Sequence, residues 1–358
     1  MVHVVYYVPS VPTVKSTTRY AHSAAFPEKV DTCTLITEAE PPAELSERYD
    51  DVSVLDGGRI SKVRRATKIA DEAGMEQTLY VTSFHYEPVL SGFFSDCPWV
   101  VDVYDNPHQY ALNNPVSYHQ LTSRLLTRLI ARADGVIHDY HPDEGCVMGT
   151  DPRFLLEGCP VNLVEPTYDI PEQRLDCVWA GSPRLDRGME LLIEALGMLD
   201  SPVDVAVYGE TDTETESRIE QQGVAGQITL HGQQPHEEVL AAISQAQVGL
   251  CPLPPRQDWY HSTPLKVREY MAGGTIPLVS DFPGMRYIAE SAGVYTSPTP
   301  PDIASTLDSL FDVAHNDPSS FQKKMRRCRK RARAQSLSRS NDWFVRQCLA
   351  SGLDIQLF

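Results

Sequence analysis

Lys266 and Glu269 stand three residues apart in HSTPLKVREYMAGG, the stretch from His261 to Gly274. Proline is well suited to a first helical turn, so a helix is expected to begin near Pro264, capped by the hydroxyl of Ser262 or Thr263. Lys266 then lies close to the positive end of that helix, and Glu269 follows one turn later on the same face. A cation and an acceptor so arranged suit a diphosphate and a ribose diol. An isolated K-x-x-E is otherwise an ordinary surface ion pair.

A second constellation is DCVWAGSPRLDRGMELLIEAL. It puts Gly181 at a strand end, Arg184 and Arg187 in the loop, and Gly188 just before a helix with Met189, Leu192, Ile193 and Leu196 on one face. Small residues allow backbone approach, a helix start offers unsatisfied N–H groups, and a guanidinium supplies countercharge, which together suit a phosphate. Alone, the pattern is equally a plain strand-loop-helix corner with a solvated arginine. In the first half of the chain, WVVDVYDNPHQY places Asp102 and Asp105 at a strand end and His108 in the loop after it. Strand ends of open α/β sheets face the ligand crevice; a helix cap and a satisfied loop histidine are the plainer readings. His85 and Glu87, in SFHYEP, rank below them on the same logic.

The elements that must position these residues alternate between short β-branched or aromatic runs and helix-period segments, the pattern of strand-helix-strand units with parallel sheets. Strands are expected at Val2–Val8, Val30–Ile36, Thr78–Val81, Trp99–Val103 and Gly135–His138, with helices at Ile60–Ala73 and Ser117–Ala133. Proline-rich CPVNLVEPTYDIPEQR, Cys159–Arg174, breaks the alternation and reads as a linker. Strands then return at Asp176–Ala180, Val203–Tyr208, Gln227–His231, Gln247–Cys251 and Ile276–Ser280. The intervening helices are Met189–Leu199, Thr213–Gln222, His236–Ala246, Pro264–Ala272 and Gly284–Ser291. From Ile303 the pattern is helical to the end. The expected division is therefore 1–165, 166–335, and a terminal helix in 336–358 that packs back onto the first domain.

A chain of 358 residues suits two such domains. Its formal charge of −17 argues against a nucleic-acid partner, since an acidic surface gains nothing from phosphate counterions. With only 8 Lys beside 23 Arg, the composition fits either a salt-adapted protein or an ordinary acidic enzyme from a GC-rich genome. The eight cysteines show neither C-x-x-C nor zinc spacing, so no metal site is expected. No apolar run reaches 18 residues and the start, MVHVVYYVPS, reads as a strand, so a cytoplasmic protein is expected. The run Lys323–Arg333 holds eight basic residues and no acidic one. It suits either peripheral contact with an anionic membrane at the inner face or pairing with the acidic remainder of the chain.

Taken together, the two constellations resemble the retaining glycosyltransferases of the GT-B fold, specifically glycosyltransferase family 4, over about Asp176 to Gly293. Gly181, Arg187 and Gly188 match its G-x5-[KR]-G signature. Pro264, Leu265, Lys266, Glu269, Tyr270, Met271, Ala272 and Gly274 match its P-L-K-x-x-E-Y-M-A-x-G signature. The resemblance implies two Rossmann-like doubly wound α/β domains facing a cleft, and transfer of a sugar, with retention and without a metal, from a UDP- or GDP-linked donor to a glycan or lipid-linked acceptor. The nucleotide sugar is substrate, and no further cofactor is implied. Arg187 and Lys266 would hold the diphosphate and Glu269 the ribose. Gly209 and Glu210 match a glycine-containing loop near the donor, ITLHGQQPHEEV a segment that touches the base, and Asp105 and His108 a site near the reacting sugar. The chain departs from the pattern at His261, where a second glutamate is usual, and at Ser182, where an arginine often stands and Arg184 is the substitute. The residues Pro9 to Arg19 replace a glycine-rich turn. A non-catalytic binding subunit and a sugar-nucleotide epimerase are the alternatives; a dinucleotide oxidoreductase lacks its G-x-G-x-x-G.

Overall fold

The computed structural model describes residues 1–11, 18–73, 77–103, 125–138, 154–155, 175–256, 259–334 and 337–353. The chain divides into two compact units, Met1–Pro160 with Ser336–Phe358, and Val161–Gln335.

The first unit holds a seven-stranded parallel sheet in the order β3-β2-β1-β4-β5-β6-β7. Its strands are β1 Val2–Tyr7, β2 Thr32–Thr37, β3 Asp51–Val54, β4 Gln77–Ser83, β5 Trp99–Val103, β6 Gly135–His138 and β7 Phe154–Leu155. The second unit repeats the plan with β8 Leu175–Ala180, β9 Val205–Tyr208, β10 Ile228–Leu230, β11 Ala246–Cys251, β12 Ile276–Ser280 and β13 Val294–Thr296, ordered β10-β9-β8-β11-β12-β13. Both are doubly wound α/β sheets whose strand order reverses beside the first strand, the place where such folds bind ligands. In the first unit that point lies between β1 and β4, and in the second between β8 and β11.

Apolar continuity explains the strands. Trp99–Val103 is buried at every position and Val178–Ala180 and Val248–Cys251 nearly so, as expected where helices cover both faces of a parallel sheet. The terminal helix Leu337–Leu353 places Phe344, Val345, Cys348 and Leu349 in the same core as Val4, Leu79, Val100 and Ile137. Several elements differ from the sequence expectation. Asp51–Val54 is a strand and Tyr86–Phe94 a helix, neither of which is among the elements expected from the sequence. Residues 125–130 of the expected Ser117–Ala133 helix are helical; its first part and the linker Cys159–Arg174 lie outside the described residues. The site helix runs Leu265–Gly273 with Pro264 itself as N-cap and no side-chain cap, which corrects the expected Ser262 or Thr263 cap.

The basic run also finds its place in the fold. Lys323–Arg333 lies on the helix Pro318–Ala334, where Met325, Cys328, Arg329 and Ala332 are buried. Arg329 donates to Gly273 O at 3.0 Å, and Arg331 donates to Ile288 O at 3.2 Å and Tyr287 O at 3.0 Å. These are the last carbonyls of two helices, Leu265–Gly273 and Pro283–Ala289, where cations are favoured. Lys324 and Arg327 reach Gly293 O and Ser291 O. About half of the run is therefore structural. Among the described residues, no helix is long and apolar enough to cross a membrane.

Candidate functional site

In the second unit, β8 delivers its chain into a loop that only glycine can follow. Gly181 takes φ +94° and Gly188 φ +99°, a region other residues rarely enter. A Cβ on Gly188 would lie 2.0 Å from Pro252 O, so the loop after β8 presses directly on the loop after β11. Pro183 O accepts from Thr215 Oγ1 at 3.1 Å, and Gly181 N donates to Tyr208 O at 2.8 Å. Ser182 Oγ donates to Glu210 O at 3.2 Å, while Gly209 N donates to Gly232 O at 2.8 Å. The expected loop residues Gly181, Ser182, Gly209 and Glu210 are thus neighbours.

The site helix is fixed to the same point by Tyr270. Its hydroxyl accepts from Ala180 N at 3.0 Å and donates to Leu250 O at 3.1 Å, joining the ends of β8 and β11, and its ring covers Gly249, where no Cβ would fit. Lys266, one turn earlier, lays its ammonium over the buried Trp179 ring, 4.1 Å from the centroid. A Cβ at Gly181 would lie 4.0 Å from that nitrogen. Burial lowers the Lys266 pKa, and the nearby Arg187 lowers it further. Arg187 is exposed; its backbone N donates to Arg184 O at 3.0 Å, and its guanidinium makes no hydrogen bond or ion pair among the described residues. A cation thus lies beside a glycine at a strand end, with a second in the loop that follows, which is a setting for an anion.

Glu269 is only 7% exposed, and its Oε1 lies 2.9 Å from His236 Nε2, the first residue of the helix His236–Gln245. Sequence reasoning starts a helix at His236 but misses its pairing with Glu269, because 33 residues separate the two and only the packing of two helices joins them. Arg184 is occupied by Asp186 at 3.0 Å, which in turn lies 3.9 Å from Arg256. It is thus turned to a neighbouring carboxylate in its own loop. His261, Thr263, Pro264 and Leu265 are half-buried on the approach to the helix. That approach is held by Gly284, which donates from N to Tyr260 O at 3.0 Å and could not carry a Cβ beside Ser262 O.

In the first unit, Asp105 and His108 lie outside the described residues. Asp102, placed with them at a strand end, is fully buried and bound by Tyr6 Oη at 2.8 Å and His22 Nδ1 at 2.9 Å. His22 stacks on Phe344 with centroids 4.0 Å apart. His85 is the N-cap residue of the helix Tyr86–Phe94, its Nδ1 3.3 Å from Ser83 Oγ, and burial lowers its pKa to about 4. Glu87 pairs with Arg59 at 3.2 Å. No group of three or more metal-binding side chains occurs among the described residues.

Comparison with known proteins bears most directly on the second unit. Residues 165–335 match the family model "Glycosyl transferases group 1". The matched segment, which takes in the whole described part of the second unit, is similar to group 1 glycosyltransferase domains. The chain is accordingly a glycosyltransferase, and its fold is GT-B. No curated protein sequence matches the chain. Among solved structures, sucrose-phosphate synthase from Thermosynechococcus elongatus is similar over 98% of this chain and 99% of its own, at 17% identity and a TM-score of 0.71. HepE of Anabaena, solved in complex with UDP, is similar over 98% of this chain and 100% of its own at 14% identity, TM-score 0.71. WaaG, a glycosyltransferase involved in lipopolysaccharide biosynthesis, is similar over 96% and 99% at 14% identity, TM-score 0.66. At these identities the likeness concerns the fold.

Proposed function

We propose that this glycosyltransferase moves a hexose from a UDP- or GDP-linked donor to a hydroxyl of a glycan or lipid-linked oligosaccharide, with retention and without a metal. One observation carries the reading: the Lys266 ammonium lies beside Gly181 at the end of β8, with Arg187 in the same loop near enough to lower its pKa and Glu269 one turn along the Lys266 helix. As the bond at C1 of the donor sugar breaks, the departing diphosphate gains negative charge. Arg187, Lys266 and the first N–H groups of the helix Met189–Leu196 stabilise it where it forms. The acceptor hydroxyl attacks on the face the diphosphate leaves, and a diphosphate oxygen takes its proton. Glu269 accepts from the nucleotide ribose. Support for a nucleotide sugar also comes from HepE of Anabaena, solved with UDP-glucose.

A thermal-shift series with UDP, GDP, ADP and TDP and their sugars tests the reading. A ligand at a hundred times its Kd stabilises by about 2.7 kcal/mol, a rise of about 5–10 °C for a domain of this size. No shift with any of them overturns the nucleotide site. The anomeric configuration of the product, read by NMR, tests retention, and transfer undiminished by EDTA tests metal independence. Contact of Lys323–Arg333 with an anionic membrane remains part of the proposal only through the residues of the run not engaged with carbonyls.

A further inference from the structure

Glu269 is a buried carboxylate one turn from the cation that the proposed donor diphosphate would meet, yet its partner is not that cation. Its Oε1 is held at 2.9 Å by His236 Nε2, and no bond to Oε2 occurs among the described residues. A carboxylate on a helix can rotate about its terminal torsion, which is broad and roughly two-fold. A hydrogen bond to one oxygen removes that freedom and fixes where the other points. The donor is itself anchored: His236 opens a ten-residue helix directly after Pro235, and Gly273 of the site helix approaches that helix closely enough that a Cβ would lie 2.8 Å from Ile243.

Resting on the reading that Glu269 accepts from a nucleotide ribose, we propose that His236 is a specificity-determining positioning residue. By holding Oε1 it aims Oε2 at the 2′ and 3′ hydroxyls, so that the site distinguishes ribonucleoside from 2′-deoxyribonucleoside diphosphates. A carboxylate prepared to accept two hydroxyls is left partly unpaired when one is missing, which is how polar sites reject an analogue lacking a hydroxyl. A carboxylate free to rotate relaxes to the remaining hydroxyl or to water, and the distinction shrinks. The charged groups facing His236 favour the pairing. Glu269 on the facing helix raises its pKa through the hydrogen bond, and Glu237 on its own helix acts in the same direction, against the effect of burial.

Calorimetric titration of the full chain with UDP, 2′-deoxy-UDP, GDP and 2′-deoxy-GDP tests this. The wild-type protein is expected to prefer the ribose form of its nucleotide by about 10- to 100-fold, the range for a hydrogen bond to a charged group. His236→Ala is expected to shrink the preference to within about threefold while leaving affinity for the deoxy form within about twofold. His236→Gln, which keeps an N–H donor, is expected to restore most of it. A mere structural role would weaken both nucleotides alike and would not be rescued in the ratio. If the wild-type preference survives intact in His236→Ala, with melting temperatures showing both proteins folded, the inference falls and the ribose role of Glu269 stands. If wild type shows no preference, or Glu269→Gln keeps it, the underlying ribose reading falls and the inference with it.

Discussion

The ammonium of Lys266 lies 4.1 Å from the centroid of the Trp179 ring, and the indole N–H is itself held by Gly181 O at 3.0 Å. A π-face holds the cation in place without neutralising it, as a carboxylate would, and so leaves its donors available to an anionic ligand. Trp179→Leu is expected to weaken UDP or GDP binding by about 2- to 30-fold, matching the 0.5–2 kcal/mol of such a contact. Trp179→Phe is expected to recover most of it. Equal affinities in wild type and Trp179→Leu would remove the ring from the site.

The lowered Lys266 pKa gives this binding a pH dependence. Only the protonated form attracts a diphosphate, so affinity is full below the Lys266 pKa and is lost as pH rises through it. Because burial and Arg187 lower that pKa, the loss begins at a lower pH than an ordinary lysine would show. Titrations between pH 7 and 10 measure it, and Lys266→Arg, whose charge persists, is expected to flatten the profile. A wild-type profile as flat as that of the arginine variant contradicts the assignment.

Lys266→Ala is expected to lower turnover by about 10²- to 10³-fold, the range for removing one preorganised stabiliser of developing charge. Steady-state kinetics with purified protein decide it. Transfer within about threefold of wild type would place Lys266 outside the chemistry.

Two glycines of the loop after β8 separate folding from binding. Both take positive φ, but a Cβ at Gly188 would collide with Pro252 O, whereas at Gly181 the nearest atom is Lys266 Nζ at 4.0 Å. Gly188→Ala is therefore expected to lower stability well beyond the 1–3 kcal/mol of the backbone strain alone, and Gly181→Ala by roughly that strain. The Gly181 variant, with a methyl group where the phosphate would approach, is expected to lose nucleotide affinity out of proportion to its melting temperature. Parallel melts and titrations of the two variants check the contrast.

How far the sequence foretold this arrangement depends on the range of the interactions. Gly181, Gly188, Lys266 and Glu269 were legible because each lies in a short segment where turn, helix start and charge occur together. The helix Tyr86–Phe94 was not, since Pro88 and Gly92 look like breakers. In the fold Pro88 occupies the first turn, where its missing N–H costs nothing, and Gly92 gives room to Trp99, whose indole would meet a Cβ at 2.1 Å. The strand Asp51–Val54 escaped because an exposed or half-exposed edge has no apolar run to betray it. Asp102 shares a strand end with the candidate Asp105, and its commitment to Tyr6 and His22, 96 and 80 residues away, is encoded by no local pattern. The pairing of His236 with Glu269 eluded sequence reasoning for the same reason.

The acidic surface carries its own expectation. With a formal charge of −17, self-repulsion opposes the compact state, and salt screens it as the Debye length falls from about 10 Å at 0.1 M to about 3 Å at 1 M. The melting temperature is expected to rise between 0.1 and 2 M KCl. A melt indifferent to KCl defeats the salt-adapted reading and leaves the ordinary acidic enzyme.

The basic helix can be divided by what its residues hold. Arg329, 9% exposed, donates to Gly273 O at the end of the helix that carries Lys266 and Glu269, whereas Lys323, Arg326 and Lys330 are exposed. Removing a charged donor from a buried carbonyl costs about 2 kcal/mol. Arg329→Met is therefore expected to lower the melting temperature by about 4–8 °C and to weaken nucleotide binding by loosening the site helix. Replacing Lys323, Arg326 and Lys330 together by Gln is expected to leave the melt within about a degree and nucleotide affinity unchanged, because those side chains are exposed and make no hydrogen bond or ion pair among the described residues. If the run also meets an anionic bilayer, that triple variant is the one that loses cosedimentation with phosphatidylserine vesicles, at about 1 kcal/mol per residue. Wild-type protein that stays in the supernatant at low salt would leave the helix with its structural task alone.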